Sequence, residues 1–271
     1  MMTRNYNRID YEKVLSTIDS FIKNKVDNRS IVIGLSGGID STITCALAVR
    51  ALGPDQVRGI LINNIRYGED LLNETRGLAS DLGITLKEFN SGNVRNEFIG
   101  TLNIPEDDIV KVSTLDARIT DIVIRTYAMA NNSIYLGTIN GTERLTGWYP
   151  KGALYGDYCP IGDLLKGQVQ ELGRIMKLPE KIVSSVSHDA SKICSGCGEL
   201  PAFKGIPYDT LDQILYIMET TDPSEIILTL KENNIQTEHF IPVLIQVQSV
   251  RHKTSIFPPY PEINHWYKKE F

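Results

Sequence analysis

Ile31-Val32-Ile33-Gly34-Leu35-Ser36-Gly37-Gly38-Ile39-Asp40-Ser41 is the stretch on which the fold turns. Its first five residues form a short run without polar alternation, which suits a strand buried on both faces of a parallel sheet. Thr42 to Leu52 then reads as a helix closed by Gly53-Pro54. Between them, Gly37 and Gly38 open backbone conformations closed to residues with a Cβ, so that successive N–H groups can converge on phosphate oxygens. A helix starting near Asp40 adds its partial positive N-terminus. Ser36 and Ser41 offer hydroxyl donors, and Asp40 suits a divalent cation whose other ligands are phosphate oxygens. A tight turn with Asp40 or Ser41 capping the helix would draw on the same residue types. The loop is neither Gly-x-x-x-x-Gly-Lys-Ser/Thr nor Gly-x-Gly-x-x-Gly.

Outward from this stretch the pattern repeats. Residues 8 to 26 place apolar side chains at Ile9, Val14, Leu15, Ile18, Phe21 and Ile22, the spacing of an amphipathic helix. Val57 to Asn63 reads as a strand, Glu69 to Leu82 as a helix closed by Gly83, and Ile84 to Phe89 as a strand. Arg118 to Ala130 reads as a helix and Ile134 to Gly137 as another buried strand. Such alternation implies βαβ units with right-handed crossovers. The expected fold class is therefore α/β, a doubly wound, Rossmann-like parallel sheet with helices on both faces. From Thr138 to about Phe203 the pattern weakens into site loops, interrupted by a helix expected over Ile161 to Met176. Helices are expected over Thr210 to Met218, Ser224 to Glu232 and His239 to Lys253. The whole chain, 1–271, reads as one domain: an α/β core over 28–182 and a loop-rich, helical C-terminal extension over 183–271.

A net charge of −5 with mixed signs lacks the basic patch of a nucleic-acid binder, so no nucleic-acid partner is expected. A hydrophobic content of 42% sets the chain apart from disordered sequences. No run approaches the roughly 20 apolar residues of a membrane span, and the opening MMTRNYNRIDYEK lacks the apolar core of a secretory signal. No membrane partner is expected, and the cytoplasm is the expected location.

The loop resembles the pyrophosphate loop of the ATP pyrophosphatase (adenine nucleotide alpha hydrolase-like) superfamily, whose members adenylate a carboxylate or carbonyl and release pyrophosphate. A second stretch narrows the resemblance. Gly137-Thr138-Ile139-Asn140-Gly141-Thr142-Glu143-Arg144-Leu145-Thr146-Gly147-Trp148-Tyr149-Pro150-Lys151 is similar to the segment of NAD synthetases that runs from Gly-Thr through Glu and Thr-Gly to two aromatics and Lys. Pro160 to Val169 resembles the segment that follows, and Arg251-His252-Lys253 resembles the closing His-Lys motif. In order and length the resemblance covers about residues 8 to 268. It implies an ammonia-dependent ligase that adenylates deamido-NAD with ATP and Mg²⁺, after which ammonia displaces AMP. It also implies roles: Asp40 and Glu143 hold Mg²⁺; Thr138 lies beside ATP with Ser36, Gly37, Gly38 and Ser41; Lys166 neutralises phosphate charge. Arg118, Trp148, Lys151, Asp157, His252 and Lys253 would contact the acceptor, with Trp148 and Tyr149 against a pyridine ring. NAD synthetases are typically homodimers, which the resemblance carries over. With no room for a glutaminase domain after the core, ammonia is expected free or from a partner chain.

The acceptor half departs from the family pattern. Lys151 is followed by Gly152-Ala153-Leu154-Tyr155-Gly156-Asp157-Tyr158-Cys159, with altered spacing. Ser185-Val186-Ser187-His188-Asp189-Ala190-Ser191 lacks the family's lysine and proline, and Asp116 rather than Asn precedes Ala117-Arg118. A relative amidating another carboxylate, nicotinate mononucleotide or a specialised metabolite, is therefore an alternative, as is a sulfur-transferring member of the superfamily. Cys159, His188, Cys194 and Cys197 fall in this region, and Cys194-Ser195-Gly196-Cys197 has the spacing of zinc and redox sites. A zinc site, a dithiol switch and a set of reduced thiols all fit that pattern.

Overall fold

The computed structural model describes residues 5–63, 68–184, 203, 205–254, 261 and 263. Four short segments form β1 (Ile31–Gly34), β2 (Val57–Asn63), β3 (Thr85–Asn90) and β4 (Ile134–Leu136). They pair in parallel in the order β3-β2-β1-β4. The alternation of strand side chains between faces divides the core in two. Ile31, Ile33 and Leu35 point into a layer with Val14, Ile18 and Ile22 of α1 (Tyr11–Val26) and Ile43 and Leu47 of α2 (Ile39–Leu52). Leu78 of α3 (Glu69–Asp81) joins the same layer. Val32, Ile60, Ile62 and Tyr135 face the other way, against Ile124 and Ala128 of α5 (Ile109–Ala130). β1, β2 and β4 are thus covered on both faces, as their near-continuous apolar runs require, whereas the edge strand β3 is largely exposed.

α2 carries β1 to β2 and α3 carries β2 to β3, moving outward. The chain then crosses through α4 (Gly92–Leu102) and α5 to place β4 on the other side of β1. The strand order therefore reverses beside β1, and such switch points are where open α/β sheets bind ligands, outside the carboxyl ends of the strands. After β4 come α6 (Gly141–Thr146), α7 (Lys166–Ile175) and α8 (Glu180–Val183), then α9 (Tyr208–Thr220), α10 (Ile226–Glu232) and α11 (Thr237–Thr254). Leu145 of α6 and Leu165 share an apolar cluster with Leu211, Ile214, Leu215, Phe240 and Val243, so the C-terminal helices pack onto the site-bearing helices.

Two helix starts differ from the sequence expectation, and two helices lie outside it. The helix expected over 161–176 begins at Lys166, because residues 159 to 164 close turns instead, with Gly162 N–H donating to the Cys159 carbonyl and Leu164 N–H to that of Ile161. α5 begins nine residues before Arg118, at Ile109, where the Asp108 carboxylate accepts from Lys111 N–H as an N-cap. α4 and α6 had no counterpart in the sequence reading. α6 is one capped turn and a half, too short for a periodicity to register.

Candidate active site at the switch point

The loop after β1 is built by its own side chains. Gly37 has φ +81°, and a Cβ there would lie 2.7 Å from Thr75 Oγ1 and 3.1 Å from Leu71 Cδ1, so both conformation and space demand glycine. Ser41 Oγ donates to the Gly38 carbonyl (3.0 Å) and accepts from Ser36 N–H (3.2 Å), pinning the loop across the first turn of α2. Gly38 is the N-cap of α2 and supplies no side-chain acceptor, which leaves the N–H groups of that turn directed at the site.

Asp40, in the first turn of α2, is where three helix starts meet. Its Oδ2 accepts from Lys166 Nζ at 2.6 Å and its Oδ1 from Asn140 Nδ2 at 3.0 Å. Asn140 caps α6, accepting from Glu143 N–H (2.9 Å), while Glu143 Oε2 accepts from Asn140 N–H (3.1 Å). This reciprocal capping box turns the Glu143 carboxylate toward Asp40. Burial first, then the charge of Asp40, pushes Glu143 up to about 8, against the opposing pull of Lys166 and the Asn140 N–H. Lys166 is the first residue of α7 and only 3% exposed. Burial acts to lower its pKa, but the charges of Asp40 and Glu143 and the Asp40 hydrogen bond outweigh that and hold it above its ordinary value. A cation at a helix N-terminus opposes the backbone dipole. Its placement here is held by carboxylates, as suits a group meant for anionic phosphate.

The structure brings Ser36, Gly37, Gly38, Asp40, Ser41, Glu143 and Lys166 into one cluster, with Thr138, half-buried, in the connection between β4 and α6. The residues expected at the acceptor form a second, looser group. Gly137 N–H donates to the Tyr158 carbonyl (2.8 Å) and Asp157 N–H to that of Tyr135 (2.7 Å), laying residues 154–158 along β4. A Cβ on Gly137 would fall 2.2 Å from the Tyr155 carbonyl carbon. Asp157 accepts from Tyr135 N–H (3.0 Å) and from Arg125 Nη1 (3.3 Å), so its carboxylate fastens the loop to β4 and α5. Arg118 Nη2 donates to the Lys151 carbonyl at 3.2 Å, and both side chains are exposed. Trp148 is half-buried just beyond α6. Lys253 Nζ grips the same segment from α11, donating to the carbonyls of Gly147 (2.8 Å) and Tyr149 (3.2 Å). The backbone of His252 lies in α11.

Of the four-member cysteine and histidine set, only Cys159 falls among the described residues. It is fully buried beside Ile139 and Tyr149, donates to the Ile139 carbonyl, and burial pushes its thiol up. His188, Cys194 and Cys197 lie outside the described residues.

Sequence reasoning missed Asn140, Thr142, Asp121 and Asp212. Asn140 was legible as Asn-x-x-Glu, the spacing of a capping box. Asp121 accepts from Leu154 N–H (2.8 Å) and holds that residue at φ +69°, which nothing local in the sequence signals.

The sequence profile of NAD synthase matches residues 14–256. The chain belongs to the NAD synthase family. The NH(3)-dependent NAD(+) synthetase of Pyrobaculum aerophilum is 31% identical over 275 residues, covering 95% of each chain. That of Thermococcus sibiricus is 32% identical over 244 residues, covering 87% of this chain and 89% of the relative. The fold is also that of the NMN synthetase from Francisella tularensis, with a TM-score of 0.74 at 21% identity over 91% of this chain and 96% of the other. Across the family match, the Asp40 cluster and the acceptor loops both lie inside the matched span.

Proposed function

We propose that the chain is an ammonia-dependent NAD synthetase: ATP adenylates the carboxylate of deamido-NAD with loss of pyrophosphate, and ammonia then displaces AMP to leave the amide. The observation that carries this reading is the convergence of Asp40, Glu143 and Lys166 at the switch point, with Lys166 bonded to Asp40 and Asn140 linking Asp40 to Glu143. Adenyl transfer builds charge on the α-phosphate and on departing pyrophosphate, and fixed cations and N–H donors stabilise it. Lys166 would trade its Asp40 partner for phosphate oxygens, while the N–H groups of Gly38 to Ser41 would bind the pyrophosphate.

The site suits Mg²⁺. The charge of Asp40 adds to burial in raising the cost of ionising Glu143, a cost that a divalent cation held by the two carboxylates would relieve. When bound, that cation would screen the phosphates as a Lewis acid. Arg118, Trp148, Lys151, Asp157, His252 and Lys253 form the acceptor side in this reading. Val94, Phe98 and Leu102 of α4, 51%, 41% and 58% exposed, and Val110, Ile122 and Met129 of α5, 65%, 59% and 75% exposed, support a homodimer packed through those helices. The whole chain acts as one domain.

Purified protein is incubated with Mg-ATP, ammonium and deamido-NAD, and NAD, AMP and pyrophosphate are quantified beside Asp40→Ala. Equal NAD and AMP with a dead variant is the expected result, and ADP as the product would overturn it. The altered residues 152–159 favour a second acceptor, nicotinate mononucleotide, which the same assay tests directly.

A further inference from the structure

α7 starts with only half a capping box: Gln168 Oε1 accepts from Leu165 N–H (2.8 Å). Leu165 stands at the N-cap and supplies no side-chain acceptor to the turn that follows. The orphan N–H groups are met from elsewhere: Lys166 N–H donates to Thr142 Oγ1 (2.9 Å) and Gly167 N–H to Asp212 Oδ2 (2.7 Å). The Thr142 hydroxyl in turn donates to Asp212 Oδ1 at 2.5 Å. A single carboxylate from α9 therefore joins the second turn-starting residue of α7 to Thr142, the neighbour of Glu143 on α6. Asp212 is 0% exposed and Thr142 4%. Asp212 interrupts a stripe of Leu211, Ile214, Leu215 and Ile217 that is otherwise apolar. An apolar residue in its place would leave Gly167 N–H buried and unbonded.

We propose that Asp212 is a positioning residue for the ligase reaction: by holding Thr142 and the Gly167 N–H, it fixes where α7 delivers Lys166 beside Asp40. It acts through Lys166 and has no contact of its own with Asp40. The carboxylate suits the place because an anion at a helix N-terminus is favoured by the backbone dipole, and it supplies to α7 the counterweight that Lys166 there lacks. This inference rests on the ligase reading above.

The test is a double-mutant cycle in the full chain. Asp212→Asn and Thr142→Val are each made alone and in a Lys166→Met background, with Thr142→Ser as the conservative control. Melting midpoint, kcat and Mg-ATP affinity by calorimetry are measured. In the wild-type background kcat is expected to fall about tenfold to a hundredfold per folded molecule, the cost of displacing a charged group by about 1 Å, and ATP binding to weaken severalfold. Thr142→Ser should stay within about twofold of wild type. In the Lys166→Met background neither Asp212→Asn nor Thr142→Val should cost anything further. Unchanged kcat and ATP affinity in Asp212→Asn, or losses that multiply with Lys166→Met, would overturn the proposal. Should Asp212→Asn fail to fold, Thr142→Val and Thr142→Ser decide it. If wild type binds Mg-ATP yet makes no NAD, the acceptor reading fails while the cycle on ATP affinity still decides the role of Asp212.

Discussion

The proposed phosphate end and the proposed acceptor end of this site are built on different plans. Around Asp40, Lys166 Nζ from the start of α7 bonds directly to the carboxylate at 2.6 Å, and Glu143 of α6 is tied in through the cap residue Asn140, whose amide donates to Asp40 (3.0 Å) and whose N–H donates to Glu143 (3.1 Å). Along 147–158 nearly every bond has a backbone group on at least one side: to Gly137 and Tyr135, to the side chains of Arg118 and Asp121, and to Lys253 of α11. Fixed charge is needed where the same triphosphate always binds, and rigid elements supply it. Shape is needed where the acceptor differs among relatives, and a loop supplies it at little cost to the fold. If that division is correct, variants at the two ends should be separable in their kinetics.

The largest effect is expected from Lys166→Met. It removes the cation that joins α7 to Asp40 and leaves two carboxylates opposed, so kcat should fall by about a thousandfold. The factor should be the same with deamido-NAD and with nicotinate mononucleotide, whichever is the better acceptor. A loss confined to one acceptor in steady-state assays would break the comparison.

Gly137→Ala should come next, and at the other end. Its Cβ would meet the Tyr155 backbone, which cannot swing aside as a side chain can. Residues 154–158 must lift from β4, and the acceptor KM should rise about tenfold or more while Mg-ATP affinity, read by calorimetry, stays within about threefold. Lys253→Met should do less of the same. It removes two hydrogen bonds to carbonyls and a cation over the Tyr149 ring, worth about 1–3 kcal/mol together. The acceptor KM should rise severalfold, with kcat nearly unchanged. A kcat loss rivalling that of Lys166→Met would mean that α11 acts on the phosphate end instead.

The contrast also explains what could be read from the sequence. Strands β1, β2 and β4 were legible because burial on both faces leaves a nearly continuous apolar run, and the loop was legible because the positive φ and close packing of Gly37 favour glycine there. Glu143 and Lys166 were found only through family resemblance, since their spacing from Asp40 is set by the packing of α6 and α7 and leaves no local pattern. Asp212 was hidden for the opposite reason. A carboxylate in an amphipathic helix reads as solvated, and only the α6–α7 junction packed against α9 shows what it bonds. The helix expected from Ile161 failed at its start because turn hydrogen bonds over 159–164 outcompeted its apolar spacing, and that failure moved Lys166 from a helix middle to a helix N-terminus.

The smallest effect is a pH dependence of stability, which distinguishes the ends without any turnover. Burial, then the charge of Asp40, raises Glu143 from about 4.5 to about 8, and burial raises Asp212 to about 7. Between those limits the folded chain keeps protons that the unfolded chain has released, so folding is favoured at the acid side and weakens as pH rises. The carboxylates held low by partners, Glu88, Asp108 and Asp222, act below this window, and histidines act equally in paired variants. Glu143→Gln in metal-free protein should therefore flatten the decline between pH 5 and 8 relative to wild type. Because Glu143 is only partly shielded from solvent, the expected difference is on the order of 1 kcal/mol across the window, measured by urea denaturation at each pH. Equal slopes in wild type and Glu143→Gln would mean that the phosphate end is not the electrostatically loaded one, and that Lys166 already neutralises the pair before any ligand binds.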